Sequence, residues 1–340
     1  MERDGGVGFD ESRPARDREK ARLATALASA RVVQVSAKSF LVTGGSGFIG
    51  SHVVDRLVAG GAQRVVVFDK VVRDGNLAEA LRSGNVEIVD GDVTDIGRVA
   101  EAMKGIDGVF HMAVLPLGPT VERPRLGLEV NVIGAFNVFE AAQQAGVEKV
   151  VFSSASSVYG DTDETMDEAH PLGARTMYGA TKIAGEYFLR SFNDQYGLPY
   201  VTLRYMNVYG PRQEGGLVMA VARRVLSGHA PSITGDGSQS FDFVHVADVA
   251  DANIAAMASH VSGEELNVGS GTEASAREIA ERVVELVGAD VEVEYQPEVR
   301  VLMRRRVGSN EKAKRLLGWE AAVSLDDGLR GTLDWIRHAS

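Results

Sequence analysis

Residues 40–50 read FLVTGGSGFIG, an apolar run that leads through a glycine-rich turn into a helix-forming segment. Gly44, Gly47 and Gly50 have the spacing G-x-x-G-x-x-G. In such a turn the first glycine permits a tight bend, the second lets the backbone approach a pyrophosphate, and the third lets the helix pack closely on the strand. The N-terminus of the helix then offers N–H groups and a positive dipole to the phosphates. The stretch therefore predicts a dinucleotide-binding turn at the start of a parallel α/β sheet.

An acidic residue stands at the end of the next predicted strand. Asp69 follows Gly50 at about the 20-residue distance at which a ribose-binding carboxylate belongs in such folds. A carboxylate there accepts hydrogen bonds from the ribose hydroxyls and repels a 2′-phosphate, so the sequence predicts NAD rather than NADP as the cofactor. Asp92, after the third predicted strand, either reaches the adenine amino group or is an ordinary solvated turn residue.

Beyond this turn, short β-branched runs alternate with helix-length segments. This alternation implies right-handed crossovers and a doubly wound parallel sheet, the Rossmann architecture, with helices on both faces. The predicted strands are Phe40–Thr43, Arg64–Asp69, Val86–Val89, Gly108–Met112, Lys149–Ser153 and Tyr200–Tyr205. The predicted helices include His52–Ala59, Ile96–Met103, Leu128–Ala145 and Lys182–Tyr196. After about Tyr205 the pattern loosens, which predicts a smaller C-terminal α/β substrate lobe over the carboxyl ends of the strands.

The chain divides into three predicted parts. Residues 1–37 mix both charge signs with Gly and Pro and lack an apolar period, so we predict a disordered N-terminal extension. Residues 38–206 are the predicted NAD-binding Rossmann domain. Residues 207–340 mainly form the predicted substrate lobe, with some strands returning to the Rossmann sheet.

Composition excludes several classes of function. The chain has 340 residues and a formal net charge of −11, from 36 basic and 47 acidic residues, which argues against nucleic acid as the main partner. Cysteine is absent, so disulfides, Cys-ligated zinc, iron–sulfur clusters and a thiol nucleophile are excluded. We predict no metal site. Since no apolar run approaches the ~20 residues of a membrane span, we expect a soluble, cytoplasmic protein.

A tyrosine and a lysine are spaced for acid–base chemistry. Tyr178 and Lys182 lie four residues apart, so on a helix they share one face. A phenol with a pKa near 10 is a poor base at neutral pH, but a neighbouring ammonium and a positive nicotinamide ring both favour the phenolate. Tyr178 is therefore predicted to take a proton from a sugar hydroxyl while hydride leaves the same carbon for NAD. The alternative is an exposed helix pair without a catalytic role.

Together these motifs resemble the extended short-chain dehydrogenase/reductase family, and within it the NAD-dependent nucleotide-sugar epimerases and dehydratases. The resemblance runs from about Lys38 to Arg337. It rests on Thr43–Gly50, Asp69, Asp92, Ser153–Gly160, Tyr178–Lys182, Arg204–Arg212 and Gly235–Gly237. With the motifs above, it implies cofactor binding by Gly44, Gly47, Phe48, Ile49, Gly50, Asp69, Lys70, Asp92, Val93, Ala113, Ser153, Tyr178 and Lys182.

The serine cluster before Tyr178 distinguishes reaction types within that family. Dehydratases carry an Asp-Glu pair just before Val-Tyr-Gly and the UDP-glucuronate decarboxylases a Glu, whereas this chain has Ser156 and Ser157. The resemblance therefore implies epimerisation of a UDP-sugar through a transient 4-keto intermediate. Ala155 stands where 4-epimerases carry a Ser or Thr that shares the 4-OH proton. We expect Ser154 or Ser156 to supply that hydroxyl, with Tyr178 alone as the remaining possibility.

The resemblance also implies a substrate site. The implied substrate-binding residues are Asn207, Arg212, Leu217, Val218, Phe243 and Arg300, with Arg304, Arg305 and Arg306 competing with Arg300 for a diphosphate contact. A guanidinium at Arg212 either pairs with a C6 carboxylate or is structural. Hexuronate epimerases often carry an arginine where this chain has Glu214. On balance we expect UDP-glucuronate to be slightly favoured over UDP-glucose.

Two further expectations concern assembly and alternatives. The predicted helices Leu128–Ala145 and Lys182–Tyr196 resemble those that family members pair in a homodimer, and Ala141, Ala142 and Ala184 would allow close approach. The alternatives to a 4-epimerase are another NAD-dependent nucleotide-sugar reaction and a non-catalytic NAD-binding protein.

Overall fold

The computed structural model describes residues 35–297 and 304–339. Most of the predicted extension 1–37, and the predicted diphosphate ligand Arg300, lie outside the described residues. The strands are β1 Ser39–Thr43, β2 Arg64–Asp69, β3 Val86–Asp90, β4 Gly108–His111, β5 Lys149–Ala155, β6 Tyr200–Tyr205, β7 Asn207–Tyr209, β8 Ser232–Thr234, β9 Ser240–His245, β10 Glu264–Val268, β11 Glu273–Ser275, β12 Glu294–Gln296 and β13 Arg305–Arg306.

The helices alternate with these strands along the first two thirds of the chain. They are α1 Phe48–Ala59, α2 Asp74–Leu77, α3 Ile96–Ala102, α4 Leu117–Glu122, α5 Pro124–Leu128, α6 Gly134–Ala145, α7 Met177–Tyr196, α8 Leu217–Leu226, α9 Val246–Ala258, α10 Ala276–Val287, α11 Glu311–Leu317 and α12 Leu325–Ala339. Short 3₁₀ turns cover Ala80–Ser83 and Ser156–Val158, and a π turn covers Glu129–Ile133.

A seven-stranded parallel sheet forms the main layer, in the order β10-β6-β5-β4-β1-β2-β3. Val65, Val66 and Val67 of β2 are all fully buried, because helices cover both faces of a parallel sheet. The sheet order reverses between β1 and β4, so a crevice for a ligand opens at their carboxyl ends. The predicted doubly wound sheet is confirmed.

The second lobe is built around β9, which pairs with β7, β11 and β13. Its core is a separate apolar cluster that includes Val221, Ile279 and Leu333. The chain also returns to the main layer, since β10 pairs with β6 and residues of α9 such as Val249 pack in the core beside β1 and β2. The division at residue 206 stays a prediction.

The predicted helix Leu128–Ala145 has an irregular first half. It consists of α5, the π turn and α6 in direct succession. Asn131, in the π turn, is buried and bonds through its amide to both backbone groups of Leu115 and to the Thr181 hydroxyl. Through Asn131, the π turn therefore hydrogen-bonds both to the segment after β4 and to α7. No helix within 35–297 and 304–339 is long and apolar enough to cross a membrane.

Candidate active site

The turn after β1 is held in a shape that side chains would disrupt. Gly44 has φ +67°, and a Cβ there would lie 2.8 Å from the backbone nitrogen of Ala113 after β4. A Cβ on Gly50 would lie 2.2 Å from the Gly44 carbonyl oxygen. The turn thus brings the predicted cofactor residues at the ends of β1 and β4 into contact, as the switch point of the sheet requires.

Helix α1 begins at Phe48 with no side chain capping it. Its N-cap residue, Gly47, is extended and has no capping side chain, and the first turn carries no acidic residue. The free N–H groups at this end and the close backbone approach at Gly47 suit a pyrophosphate. Phe48 and Ile49 form the first turn of this helix, so their amides are part of the same cradle.

Asp69 ends β2 beside this turn. Its Oδ2 accepts hydrogen bonds from the Ser46 amide at 3.1 Å and the Ser46 hydroxyl at 2.7 Å. Asp92 is partly buried and pairs with the exposed ammonium of Lys70 at 2.6 Å. Val93 packs in the core beneath it. Two carboxylates therefore flank the crevice where the adenosine half of NAD is predicted to bind, and these residues fit that cofactor.

Tyr178 and Lys182 lie on the first turns of α7, as predicted. The Thr176 hydroxyl caps this helix by accepting the Gly179 amide at 3.0 Å. The Lys182 ammonium donates to the Ser153 carbonyl of β5 at 2.6 Å and lies 5.8 Å from the centre of the Tyr178 ring. The strand that carries the serine cluster thus fixes the lysine beside the tyrosine.

Burial governs the protonation of this pair. It lowers the pKa of Lys182 to about 7, against the opposing charge of Glu186. It raises the pKa of Tyr178 to about 12, although the Arg306 guanidinium opposes the rise. The lowering of the phenol pKa predicted from Lys182 is therefore outweighed by burial in this structure.

Ser154 has a buried partner that the sequence analysis did not predict. Its hydroxyl is buried and donates to Glu186 Oε1 of α7 at 2.5 Å. The same carboxylate pairs with Arg204 of β6 at 2.7 Å, and both side chains are almost fully buried. Since successive strand residues point to opposite faces, Ser154 and Ser153 make separate contacts, and Ser153 bonds Tyr205 instead at 3.0 Å. The Ser154 hydroxyl is therefore committed to an internal ion pair, which argues against a role in proton sharing.

Ser156 has the surroundings expected of a reactive hydroxyl. It is buried in the 3₁₀ turn after β5, and its Oγ lies 3.5 Å from Nη1 of Arg306, at the long limit of a hydrogen bond. The Ser157 hydroxyl is also buried and lacks a partner among the described residues. Of the two predicted serines, Ser156 is the one whose hydroxyl is not consumed by the fold.

His111, at the end of β4, is a packed residue. Its ring stacks on Phe152 and meets Phe139 edge-on, each at 5.6 Å, and its Nδ1 lies 2.7 Å from the Thr43 hydroxyl. Burial, with a smaller contribution from the Lys182 charge, lowers the pKa of His111 to about 3. The histidine is therefore neutral at physiological pH, and its contacts are those of a packed residue at the end of a strand.

Arg212 also has a partner that the sequence analysis did not predict. Its guanidinium bonds Asp55 of α1 at 2.7 Å, and its backbone has φ +69°. Nearby, Glu214 pairs with Arg73 at 2.6 Å, and the Pro211 carbonyl lies 3.0 Å from Nε2 of His52. Arg212 thus fastens its loop to the Rossmann layer, and this pairing argues against its predicted role at the sugar C6.

The remaining predicted substrate residues are spread over the second lobe. Asn207 is exposed at the start of β7, directly opposite Phe243 of β9. Leu217 starts α8, while Val218 and Phe243 are buried in the core of the lobe, so they shape the site through packing. A cavity of about 490 Å³ lies beside the loop expected to bracket the nucleotide, and its lining includes Gly235, Arg277, Tyr295 and Arg304.

Sequence reasoning missed the residues that act through distant partners. Neither Asn131 nor Glu186 belongs to a motif that the sequence analysis identified. Arg306 was only one of four arginines considered for the diphosphate. A single signal was available for Glu186, since it lies one turn beyond Lys182 on the same helical face.

Comparisons with known proteins agree with this geometry. The family model for the NAD dependent epimerase/dehydratase family matches residues 40–269. A UDP-glucose 4-epimerase of Mycolicibacterium smegmatis is 38% identical over 312 residues, which cover 88% of this chain and 99% of that protein. A UDP-N-acetyl-alpha-D-glucosaminuronate decarboxylase of Bacillus cytotoxicus is 32% identical, covering 88% of this chain and 98% of its own.

A solved structure of a related enzyme supports the same family assignment. The UDP-glucose 4-epimerase of Thermus thermophilus in complex with NAD superposes with a TM-score of 0.81 at 36% identity, covering 89% of this chain and 100% of that one. The nucleotide turn, the paired carboxylates and the Tyr178–Lys182 pair are thus set in a fold shared along nearly the whole length of these relatives. The chain belongs to the NAD-dependent epimerase/dehydratase family.

Proposed function

We propose that the protein is an NAD-dependent UDP-sugar 4-epimerase. The observation that carries the proposal is the Tyr178–Lys182 pair beside a serine cluster that offers hydroxyls and no carboxylate. Elimination of water needs an acid and a base at the neighbouring carbons, and Ser156 and Ser157 supply neither. Oxidation and re-reduction at one carbon need only a single proton acceptor and donor, which Tyr178 provides.

The cofactor fits the crevice between the turn after β1 and the end of β4. Bound there, NAD would supply the hydride acceptor for the sugar C4 and the hydride donor for the opposite face of the ring. We propose that the amides of α1 hold its pyrophosphate, that Asp69 accepts hydrogen bonds from its ribose hydroxyls, and that Asp92 reaches its adenine.

The protein's own residues manage the proton of the 4-hydroxyl. Tyr178 accepts this proton in the oxidising direction and gives it back when the ring is reduced. Lys182, held by the Ser153 carbonyl at 2.6 Å, lies 5.8 Å from the centre of the Tyr178 ring, where its charged form, together with the positive nicotinamide ring of bound NAD, would oppose the effect of burial and favour the phenolate. Ser156 is the proposed hydroxyl that shares the proton, in place of the residue missing at Ala155.

Two alternatives remain for the same fold. The first is another nucleotide-sugar reaction of the family, such as the decarboxylation named for the Bacillus cytotoxicus relative. The second is a protein that binds NAD without turning over a sugar. An epimerase regenerates NAD and releases no carbon dioxide, so both alternatives are open to a direct test.

The first experiment is to incubate the purified protein with UDP-glucose and, separately, with UDP-glucuronate, and to follow the C4-inverted product by proton NMR. We expect inversion without net NADH and without a pentose product. Tyr178→Phe should lower the rate about 10²- to 10⁴-fold, since it removes the proton acceptor, while NAD still binds. Full activity of Tyr178→Phe, or a decarboxylated product, would contradict the proposal.

We also propose that the protein is a homodimer through α4 to α7. Several large apolar side chains on these helices are exposed, among them Val121, Ile133, Met177 and Tyr187. The set of alanines predicted to lie at the interface changes. Ala141 and Ala142 are buried in the chain's own core, and of the three only Ala184 is partly exposed.

A further inference from the structure

Arg306 is a buried cation that makes no ion pair among the described residues. It ends β13, the short strand that pairs with β9. Its Nε and Nη2 are buried and have no hydrogen-bond partner within 35–297 and 304–339, and Nη1 makes only the long 3.5 Å contact with Ser156. Its neighbour Arg305, by contrast, forms a close ion pair with Glu273 at 2.8 Å.

Such an arrangement is costly unless a ligand completes it. Each unsatisfied N–H loses hydration without gaining a partner, and a buried charge needs an opposite charge nearby. Burial lowers the pKa of Arg306 to about 10, so the side chain keeps its charge at neutral pH. The acidic group that acts on it is Asp161, which is exposed and whose Oδ1 accepts the Arg304 amide at 2.8 Å. Arg306 therefore offers a positive charge and unsatisfied N–H groups to an anion.

The position of Arg306 indicates which group of a nucleotide sugar would supply the anion. Its charge acts on the Tyr178 phenol, and its Nη1 faces Ser156, so it stands beside the groups that handle the 4-hydroxyl. In a pyranose ring C4 lies opposite C1, which bears the diphosphate, and is next to C5, which bears C6. An arginine at the C4 end is thus close to the C6 substituent and remote from the diphosphate.

We propose that Arg306 binds a carboxylate at C6, so that the substrates are UDP-hexuronates. The proposal rests on the proposed 4-epimerase function and assigns the specificity to Arg306 in place of Arg212. A planar guanidinium with two free nitrogens matches a carboxylate through paired N–H···O bonds. A neutral C6 hydroxymethyl group would leave at least part of that charge uncompensated.

The test compares Arg306→Gln with the wild type on UDP-glucuronate and UDP-glucose. We expect the wild type to prefer UDP-glucuronate. The variant should lose about 10- to 100-fold in kcat/KM for UDP-glucuronate, as a charged hydrogen-bonded pair is lost, with little change or a gain for UDP-glucose. Arg306→Lys keeps the charge and should retain part of the preference. Arg315→Gln, at an exposed arginine of α11, controls for the change in net charge.

Binding measurements make each outcome decisive. Calorimetry on the NAD-loaded protein should show that Arg306→Gln weakens binding of UDP-glucuronate while the affinity for UDP is unchanged. Equal weakening for UDP and both sugars would assign Arg306 to the diphosphate and overturn the proposal. Equal loss of kcat on both sugars with a shifted pH profile would assign it to Tyr178 and also overturn it.

The outcomes also separate this inference from the proposed function. If the wild type inverts UDP-glucose but neither inverts UDP-glucuronate nor binds it preferentially, the 4-epimerase function stands and the proposed role of Arg306 is wrong. If the wild type inverts neither sugar, the proposed 4-epimerase function is wrong. In that case the relative affinities for the two UDP-sugars still decide whether Arg306 reads a carboxylate.

Discussion

The serines on either side of Ala155 differ in what their hydroxyls contact, and this difference is testable. Ser156→Ala should lower kcat about 10- to 100-fold with unchanged stability, because it removes the hydroxyl proposed to share the 4-OH proton, which lies 3.5 Å from Arg306. Ser154→Ala should instead leave kcat within a few-fold and lower the free energy of unfolding by about 1 to 3 kcal/mol, because the buried Glu186 loses a hydrogen bond.

Both variants are measured by steady-state kinetics and by urea unfolding. A loss of kcat confined to Ser154→Ala would show that Ser154, and not Ser156, replaces the hydroxyl missing at Ala155. Loss in neither variant would leave Tyr178 as the only group that moves the proton.

The buried His111 is expected to lower the stability of the folded protein in acid. Its pKa is lowered to about 3 in the folded chain and is about 6.5 when exposed, so between these values the unfolded chain binds more protons. Stability therefore falls as pH falls through this window. Relative to His111→Phe, which keeps an aromatic ring beside Phe139 and Phe152, the wild type should lose about 3 kcal/mol between pH 7 and pH 4.

The measurement is urea unfolding of both proteins at several pH values. A wild type and variant whose stabilities change in parallel would mean that His111 titrates normally, in contradiction to its burial.

At this scale the sequence predicted the residues whose roles depend on local spacing. The glycines of the turn lie in one turn and the Tyr178–Lys182 pair in one helix, so their spacing alone places each set together. The partners of Ser154 and Arg212 lie 32 and 157 residues away along the chain, and single-sequence reasoning does not reveal such pairings.

At the scale of elements, the loop that carries Arg212 connects the second lobe to the Rossmann layer. Its two ion pairs join it to Asp55 of α1 and to Arg73 after β2. Arg212→Gln should lower the free energy of unfolding by about 1 kcal/mol, since it leaves the partly buried Asp55 without its cation. The ratio of kcat/KM for UDP-glucuronate and UDP-glucose should not change.

Differential scanning calorimetry and the two-substrate assay check this expectation. A collapse of the hexuronate preference in Arg212→Gln with an unchanged melting temperature would restore the sequence prediction for Arg212 and remove that for Arg306.

Strands were easier to predict than helices for a physical reason. A strand buried on both faces is a short continuous apolar run, so all six predicted strands appear with bounds that differ by two residues at most. The predicted helix Leu128–Ala145 has an amphipathic pattern throughout, yet its first half contains a π turn because the buried Asn131 must reach both Leu115 and Thr181. That demand comes from tertiary contacts, which the helical period does not encode.

At the scale of the whole molecule, the exposed apolar face of α4 to α7 should be covered by a second copy of the chain. Tyr187 is 54% exposed on α7, beside Phe188, which stacks edge-on against Phe136. Exposed apolar side chains on neighbouring helices are unfavourable in water, and we expect them to favour association. Tyr187→Glu should therefore convert a dimer to a monomer at micromolar concentration.

The control is Ile96→Glu, on α3, where a side chain of similar exposure, 41%, lies outside α4 to α7. Sedimentation velocity should give twice the chain mass for the wild type and the control, and the chain mass for Tyr187→Glu. Each protomer carries its own nucleotide turn, tyrosine and Arg306, so the monomer should keep the substrate preference of the dimer. A monomeric wild type, or a dimer that survives Tyr187→Glu, would contradict this assembly. A monomer that lost the preference would show that the α4 to α7 contact also holds α7, and with it Tyr178, in place.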